Sequence, residues 1–152
     1  MTAYSAYVFT LVTCVIWFLM GFRYFSFQQE AAAKLLIPES NRSSPIFQTT
    51  AAAVRFLGGM NAAFALLSAI LLVLAVAGST LFNSPEERGT LLLVLAAAHF
   101  SQFAFNVPVL INGERQGDVY WPVLSGPMLL IFVVDAAETI ICVGAGAVQF
   151  LI

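Results

Sequence analysis

The sequence predicts an all-α integral membrane protein, an antiparallel bundle of four helices in one domain spanning residues 1–152. Three observations predict it. Of the 152 residues, 61% are hydrophobic and only 9% charged, with a mean hydropathy of +0.92, whereas soluble chains carry about 25% charged residues to face water. Four apolar runs reach the length of about 20 residues that crossing a hydrocarbon core requires. The stretches between them carry the prolines, glycines, serines and asparagines of turns.

The first run covers residues 4–22. No basic residue precedes it and no small-residue cleavage pattern follows, so it reads as a retained helix rather than a signal peptide. The second covers residues 50–77, after a turn-rich stretch at 38–45. The third apolar run covers 91–111, but its helix opens earlier, near residue 88. Ser84, Pro85, Glu86 and Glu87 have the order of an N-cap, a first-position proline and first-turn acids. The fourth covers 128–152. Continuous runs of this kind are unlike the alternating segments of about ten residues in a membrane barrel. Within the first connection, residues 28–37 are Ala-rich with Glu30 and Lys34 at i,i+4, which predicts a short helix on the membrane surface.

Four helices place both termini on one side. Arg23, Lys34, Arg42 and Arg115 lie in or beside the first and third connections, against Arg88 alone in the second. The positive-inside bias therefore puts the first and third connections on the cytoplasmic side. Six scattered basic residues and a net charge of −2 give no footprint for nucleic acid. Cys14 and Cys142 have no neighbouring cysteine in sequence, which argues against a disulfide framework or a Cys-rich metal site. One histidine cannot supply bis-histidine haem ligation, and the Glu-x-x-His motifs of di-iron bundles are missing, so no metal or cofactor is expected.

Charged groups in mid-membrane cost about 2.5–3.5 kcal/mol each on insertion scales, and so usually face a bundle interior where they do something. The second run carries Arg55 and Asn61, the third His99, Gln102 and Asn106, and the fourth Asp135, Glu138 and Thr139. From a rise of 1.5 Å per residue, Arg55 and Asn106 lie roughly 7–8 Å deep and Asp135 roughly 12 Å. Asn61, Gln102, His99 and Glu138 lie at roughly 14–18 Å. Helical phase agrees with depth. His99, Gln102 and Asn106 follow i, i+3, i+7, and Asp135, Glu138, Thr139 and Cys142 follow i, i+3, i+4, i+7. In the first run Tyr7, Thr10, Cys14, Trp17, Gly21 and Tyr24 form a further stripe. Gly58, Gly59, Ala62 and Ala63 form a small-residue face for close helix approach.

These positions predict a polar interior in which Arg55 pairs with Asp135, an arrangement more structural than catalytic. Glu138 is then the candidate acid and His99 its proton partner, with Asp135 in the electrostatic frame. Arg55, Asn61, Gln102, Asn106 and Trp17 are the candidate substrate-binding groups. Two carboxylates within one turn of a membrane helix are hard to explain by packing, whereas a lone histidine is often only a bonded core residue.

Val54-Arg55-Phe56-Leu57-Gly58 and Ala98-His99-Phe100-Ser101-Gln102 resemble segments of the small four-helix scaffold proteins of sterol biosynthesis, over roughly residues 48–139. The resemblance implies a scaffold that gathers lipid-modifying enzymes. The chain departs from it at Gln102, where an acid is expected, and in the Asp135/Glu138 pair. Membrane-embedded sterol isomerases and terpenoid cyclases offer a looser analogy.

The leading expectation is a multi-pass membrane protein that binds a lipophilic isoprenoid, sterol or polyketide-like molecule and acts on it by general acid–base chemistry. Isomerisation, cyclisation and epoxide opening are the reactions in view. The alternatives are a non-catalytic scaffold or small subunit, with a membrane protein partner or a second copy of the chain, and a proton-coupled carrier. Membrane lipid is the expected surrounding in each case.

Overall fold

Four apolar helices dominate the computed structural model, which describes residues 2–117 and 119–152. Helix α1 (Ala3–Phe27) starts at Thr2, whose hydroxyl accepts from the Ser5 N–H at 3.1 Å. It runs five residues past the expected end and gives way to α2 (Gln29–Leu36), a short helix where Glu30 and Lys34 predict one. A 3-10 turn (Glu39–Asn41) leads into α3 (Pro45–Val76), which opens with proline in its first turn.

The 32 residues of α3 span about 48 Å, well beyond a hydrocarbon core of about 30 Å. Its first turns serve instead as a platform for α2. Ala33 of α2 packs there with Phe47 and Ala51, and Ile37 closes the edge.

Helix α4 (Pro85–Ala104) begins with a capping box in which Ser84 Oγ accepts from the Glu87 N–H and Glu87 Oε2 accepts from the Ser84 N–H. The expected third helix is broken near its end, and α5 (Asn106–Ile111) follows after Phe105. Pro108 is the cause. It has no N–H to give the Ala104 carbonyl, and its ring crowds that carbonyl. The third connection contains a two-residue hairpin, β1 (Arg115–Gln116) against β2 (Val119–Tyr120), not anticipated from the sequence. Glu114 organises it, its carboxylate accepting from the Tyr120 hydroxyl at 2.9 Å and the Leu124 N–H at 2.6 Å. Those bonds, the Leu124 amide first, hold the Glu114 carboxyl below its ordinary pKa. Helix α6 (Gly126–Gln149) completes the chain.

The helices alternate in direction. Tyr4 reaches the Ala75 carbonyl at 2.7 Å while Phe18 stacks on Phe64 at 5.2 Å, so α1 and α3 are antiparallel. Gln149 donates to the Ala3 carbonyl at 2.7 Å and Thr13 meets Glu138, so α1 and α6 are antiparallel too. Phe103 against Phe132 and Gly89 against Gly146 show the same for α4 and α6. The closest pairs are α1 with α3 and α4 with α6. Helix α1 joins the pairs, whereas the backbone of α3 stays apart from α4 and α6 and meets them through side chains such as Leu71 and Leu92 in the shared core. Outward faces are apolar, with Phe9, Ile16, Leu66, Val73 and Ile140 all exposed, as suits contact with lipid.

The small-residue face of α3 divides between two surroundings. A Cβ on Gly58 would lie 2.1 Å from Ser26 Oγ and 2.9 Å from the Ser26 backbone nitrogen, whereas one on Gly59 would meet nothing within 4 Å. Gly58→Leu is therefore expected to wedge α1 from α3 and destabilise the chain by at least about 1–3 kcal/mol, the usual range for overpacking. Gly59→Leu should unfold close to the parent chain. Thermal unfolding in mild detergent, followed by helical circular dichroism, checks both.

Candidate functional site: a buried polar cluster beside a four-helix cavity

Three helices deliver polar groups to one level of the bundle. Helix α1 supplies Thr13, Cys14 and Trp17, α4 supplies His99, and α6 supplies Asp135, Glu138 and Cys142. Helical spacing turns Asp135, Glu138 and Cys142 to one face of α6, and all three are buried.

Asp135 is the centre of the arrangement. Its Oδ1 accepts from the Trp17 indole N–H at 2.9 Å and lies 2.8 Å from His99 Nδ1. An ionised carboxylate can only accept, so Nδ1 carries the shared proton and the other ring nitrogen, Nε2, is left with a lone pair when the ring is neutral. Nε2 lies 3.7 Å from Cys14 Sγ, and that sulfur lies 3.7 Å from Cys142 Sγ. The ring of Phe18 stacks on the imidazole at 4.5 Å and 19°, which fixes its plane. Glu138 sits one turn along α6, where its Oε2 is 3.1 Å from the Thr13 hydroxyl. No other Lys, Arg or His nitrogen lies within 4.0 Å of a carboxylate oxygen among the described residues.

Beside this cluster lies a cavity of about 410 Å³ with walls from all four long helices. Trp17, Phe18 and Phe64 form an aromatic side, Leu130 and Ile131 an aliphatic one, and Asn61, Ser101 and Gln102 place amide and hydroxyl groups along it. Asp135 is the one carboxylate in the lining. Arg23, Gln28 and Pro127 mark the mouth toward the first and third connections. The cavity exists because α1 stands between α3 and the α4–α6 pair, leaving a gap where α3 would otherwise meet them.

The structure brings together Asp135, His99, Glu138 and Trp17, and places Asn61 and Gln102 on the cavity wall. It separates two other expected members. Arg55 does not pair with Asp135. It is exposed on α3, in a separate recess with Phe22, Phe27 and Phe56. The reason is position along the bundle, because Arg55 lies beside Phe22, Ser26 and Phe27 of α1 whereas Asp135 meets α1 at Trp17, roughly 8–15 Å away along that helix, and α1 stands between α3 and α6. Asn106 is likewise outside the cavity lining. The break at Pro108 makes it the first residue of α5, where its Oδ1 accepts from the Trp121 indole at 3.2 Å and holds the third connection. The proton partner expected for Glu138 also changes, since His99 bonds to Asp135 and Glu138 turns to Thr13.

Four residues were not anticipated in the site: Thr13 and Phe18, whose phase places them beside the α1 stripe, and the two cysteines. The cysteines, 128 positions apart in sequence, meet because α1 and α6 pack antiparallel. Their phase was the available signal, Cys14 with Trp17 and Cys142 with Asp135 and Glu138.

Compared with protein-family models, curated proteins and solved structures, the chain matches none. The likeness to sterol-pathway scaffolds therefore rests on its two short motifs, of which the structure buries His99 and exposes Arg55.

Removing the Asp135 carboxylate strands two N–H donors in a dry interior. Asp135→Ala is expected to cost about 3–5 kcal/mol, as for other buried pairs that lose one member. Asp135→Asn keeps an acceptor oxygen and should cost clearly less. The two unfolding midpoints in detergent make the comparison, and equal losses would contradict it.

Proposed function

We propose that this protein binds a lipophilic molecule in the cavity between its four helices and holds that molecule's polar end against Asp135. The observation that carries the reading is the placement of a single carboxylate in the wall of an otherwise largely apolar cavity. A volume of about 410 Å³ falls within the usual range for small-molecule sites, roughly 300–1,000 Å³. The stacked faces of Phe18 and Phe64, with Trp17, suit a flat or branched skeleton of the isoprenoid, sterol or polyketide-like class. Asn61 and Gln102 offer amides to orient an oxygen.

The same geometry supports general acid–base work, centred on Asp135 rather than Glu138. Asp135 Oδ1 is engaged by Trp17 and His99, and Oδ2 has no partner among the described residues. That oxygen can exchange a proton with a bound hydroxyl, carbonyl or alkene while His99 and Trp17 hold the carboxylate in place. Isomerisation, cyclisation and epoxide opening need little more than a proton delivered and withdrawn at fixed positions. The basic residues gathered at the end holding the first and third connections support a cytoplasmic position for that end and for the cavity mouth.

A scaffold role has less to draw on here. Gly58, the tightest point of the small-residue face expected to receive a partner, already packs against Ser26 of the same chain.

The test is to purify the chain in mild detergent, extract it with organic solvent and identify copurifying lipophiles by mass spectrometry. One lipophile enriched over the detergent-lipid background is expected. Asp135→Asn should weaken its retention about ten- to hundredfold, the worth of a hydrogen bond to a charged group. Ala98→Trp, which fills the cavity from α4, should abolish it. Full retention in Ala98→Trp would overturn the proposal.

A further inference from the structure

We infer that Cys14, His99, Glu138 and Cys142 form a metal site that takes one zinc-class divalent ion between α1, α4 and α6. The site lies behind the cavity wall and does not depend on what fills the cavity.

The donor atoms of these four side chains all lie within 4.8 Å of one another, and all four residues are buried. Two of the six separations equal the edges of a metal coordination tetrahedron, and the rest need inward side-chain shifts of about 1 Å at most. Zinc–sulfur and zinc–nitrogen bonds of about 2.3 Å and 2.0–2.1 Å put tetrahedral ligand edges at about 3.8 Å between sulfurs and about 3.6 Å between sulfur and nitrogen. Both Cys14 Sγ to Cys142 Sγ and Cys14 Sγ to His99 Nε2 are 3.7 Å.

The histidine is prepared for ligation in a second, independent way. Its Nδ1–H is given to Asp135, which directs the Nε2 lone pair into the cluster. Carboxylate–histidine–metal arrangements orient their imidazoles by the same means. Phe18 holds the ring plane from the other side.

Donor chemistry selects the ion. Two thiolates exclude magnesium and calcium, which take oxygen ligands. Thiolate, imidazole and carboxylate together suit zinc, and a divalent ion leaves less uncompensated negative charge in the membrane interior than monovalent copper. Coordination releases the two thiol protons, and the carboxyl proton wherever Glu138 carries one, to the surrounding water and involves no oxidation. With four protein ligands and no exposed donor the site is closed, as structural zinc sites are. The ion would fasten α1 to α4 and α6 at the level of Asp135, and so hold the cavity wall in register.

The competing description is a dry contact in which neutral thiols pack against each other and against Nε2. To decide, the full-length chain is purified in mild detergent under reducing conditions and its metal content measured. About one zinc per chain is expected, falling to near zero in Cys14→Ser and Cys142→Ser. Asp135→Asn should bind zinc about ten- to hundredfold more weakly, the usual cost of losing a ligand's outer partner. Cobalt added to the metal-stripped parent chain should give thiolate-to-cobalt charge-transfer and tetrahedral ligand-field bands, a readout that needs no variant to fold. The inference is overturned if the parent chain binds no zinc and yields no such bands. It is equally overturned if zinc stays stoichiometric in the Cys14→Ser/Cys142→Ser double variant, or if the chain is isolated with a Cys14–Cys142 disulfide in place of the metal.

Discussion

A carboxyl group buried between apolar helices must find hydrogen-bond partners within its own protein, and Asp135 finds them on two other helices. The Trp17 indole comes from α1 and the His99 imidazole from α4, both within 3 Å of one oxygen. That knot fixes the rotation of three helices at once. A turn of α6 by one residue, about 100°, would carry Asp135 out of reach of both donors and expose it to lipid. The rest follows from the fixed rotation. Glu138 comes to Thr13, Cys142 to Cys14, and Leu130 and Ile131 to the cavity.

The knot also explains why there is a cavity. Helix α1 is bound to α6 through polar side chains and to α3 through small residues, Gly21 against Asn61 and Gly58 against Ser26. Close approach on one side of α1 and hydrogen bonding on the other keep the backbone of α3 away from α4 and α6 at the level of the cavity. Aromatic rings of α1 and α3 partly occupy the space between.

Much of this was legible in the sequence, and what was missed shares one cause. Hydropathy located the four spans, and the i, i+3, i+4 spacing assigned Asp135, Glu138 and His99 to interior faces. Depth along a helix is a one-dimensional coordinate, however. Arg55 is level with Phe22 and Phe27 of α1 while Asp135 is level with Trp17, and α1 separates their two helices, a placement that depths measured on each helix separately do not contain. The phase that carries His99 and Gln102 ends at Ala104, four residues before Pro108, and does not reach Asn106. The cysteines looked isolated because nearness in sequence was the criterion, whereas antiparallel packing joins residues at opposite ends of the chain. Individual side-chain partners inside the bundle therefore need the relative rotation of all the helices, which no single segment encodes.

The long sequence separations in the cluster have a consequence for biogenesis. Trp17, Thr13 and Cys14 meet partners that lie 118, 125 and 128 residues later, on a helix made after α3 and α4. Since chains emerge from the N-terminus first, α1 must wait in the bilayer through the synthesis of α3 and α4. The groups it exposes while waiting are an indole, a hydroxyl and a thiol, all uncharged and tolerable to lipid. Both buried acids are carried by α6, which arrives when their donors are already in place. Within the cluster the order of polar groups thus matches the order of synthesis, with the uncharged donors made first and the two carboxylates after them.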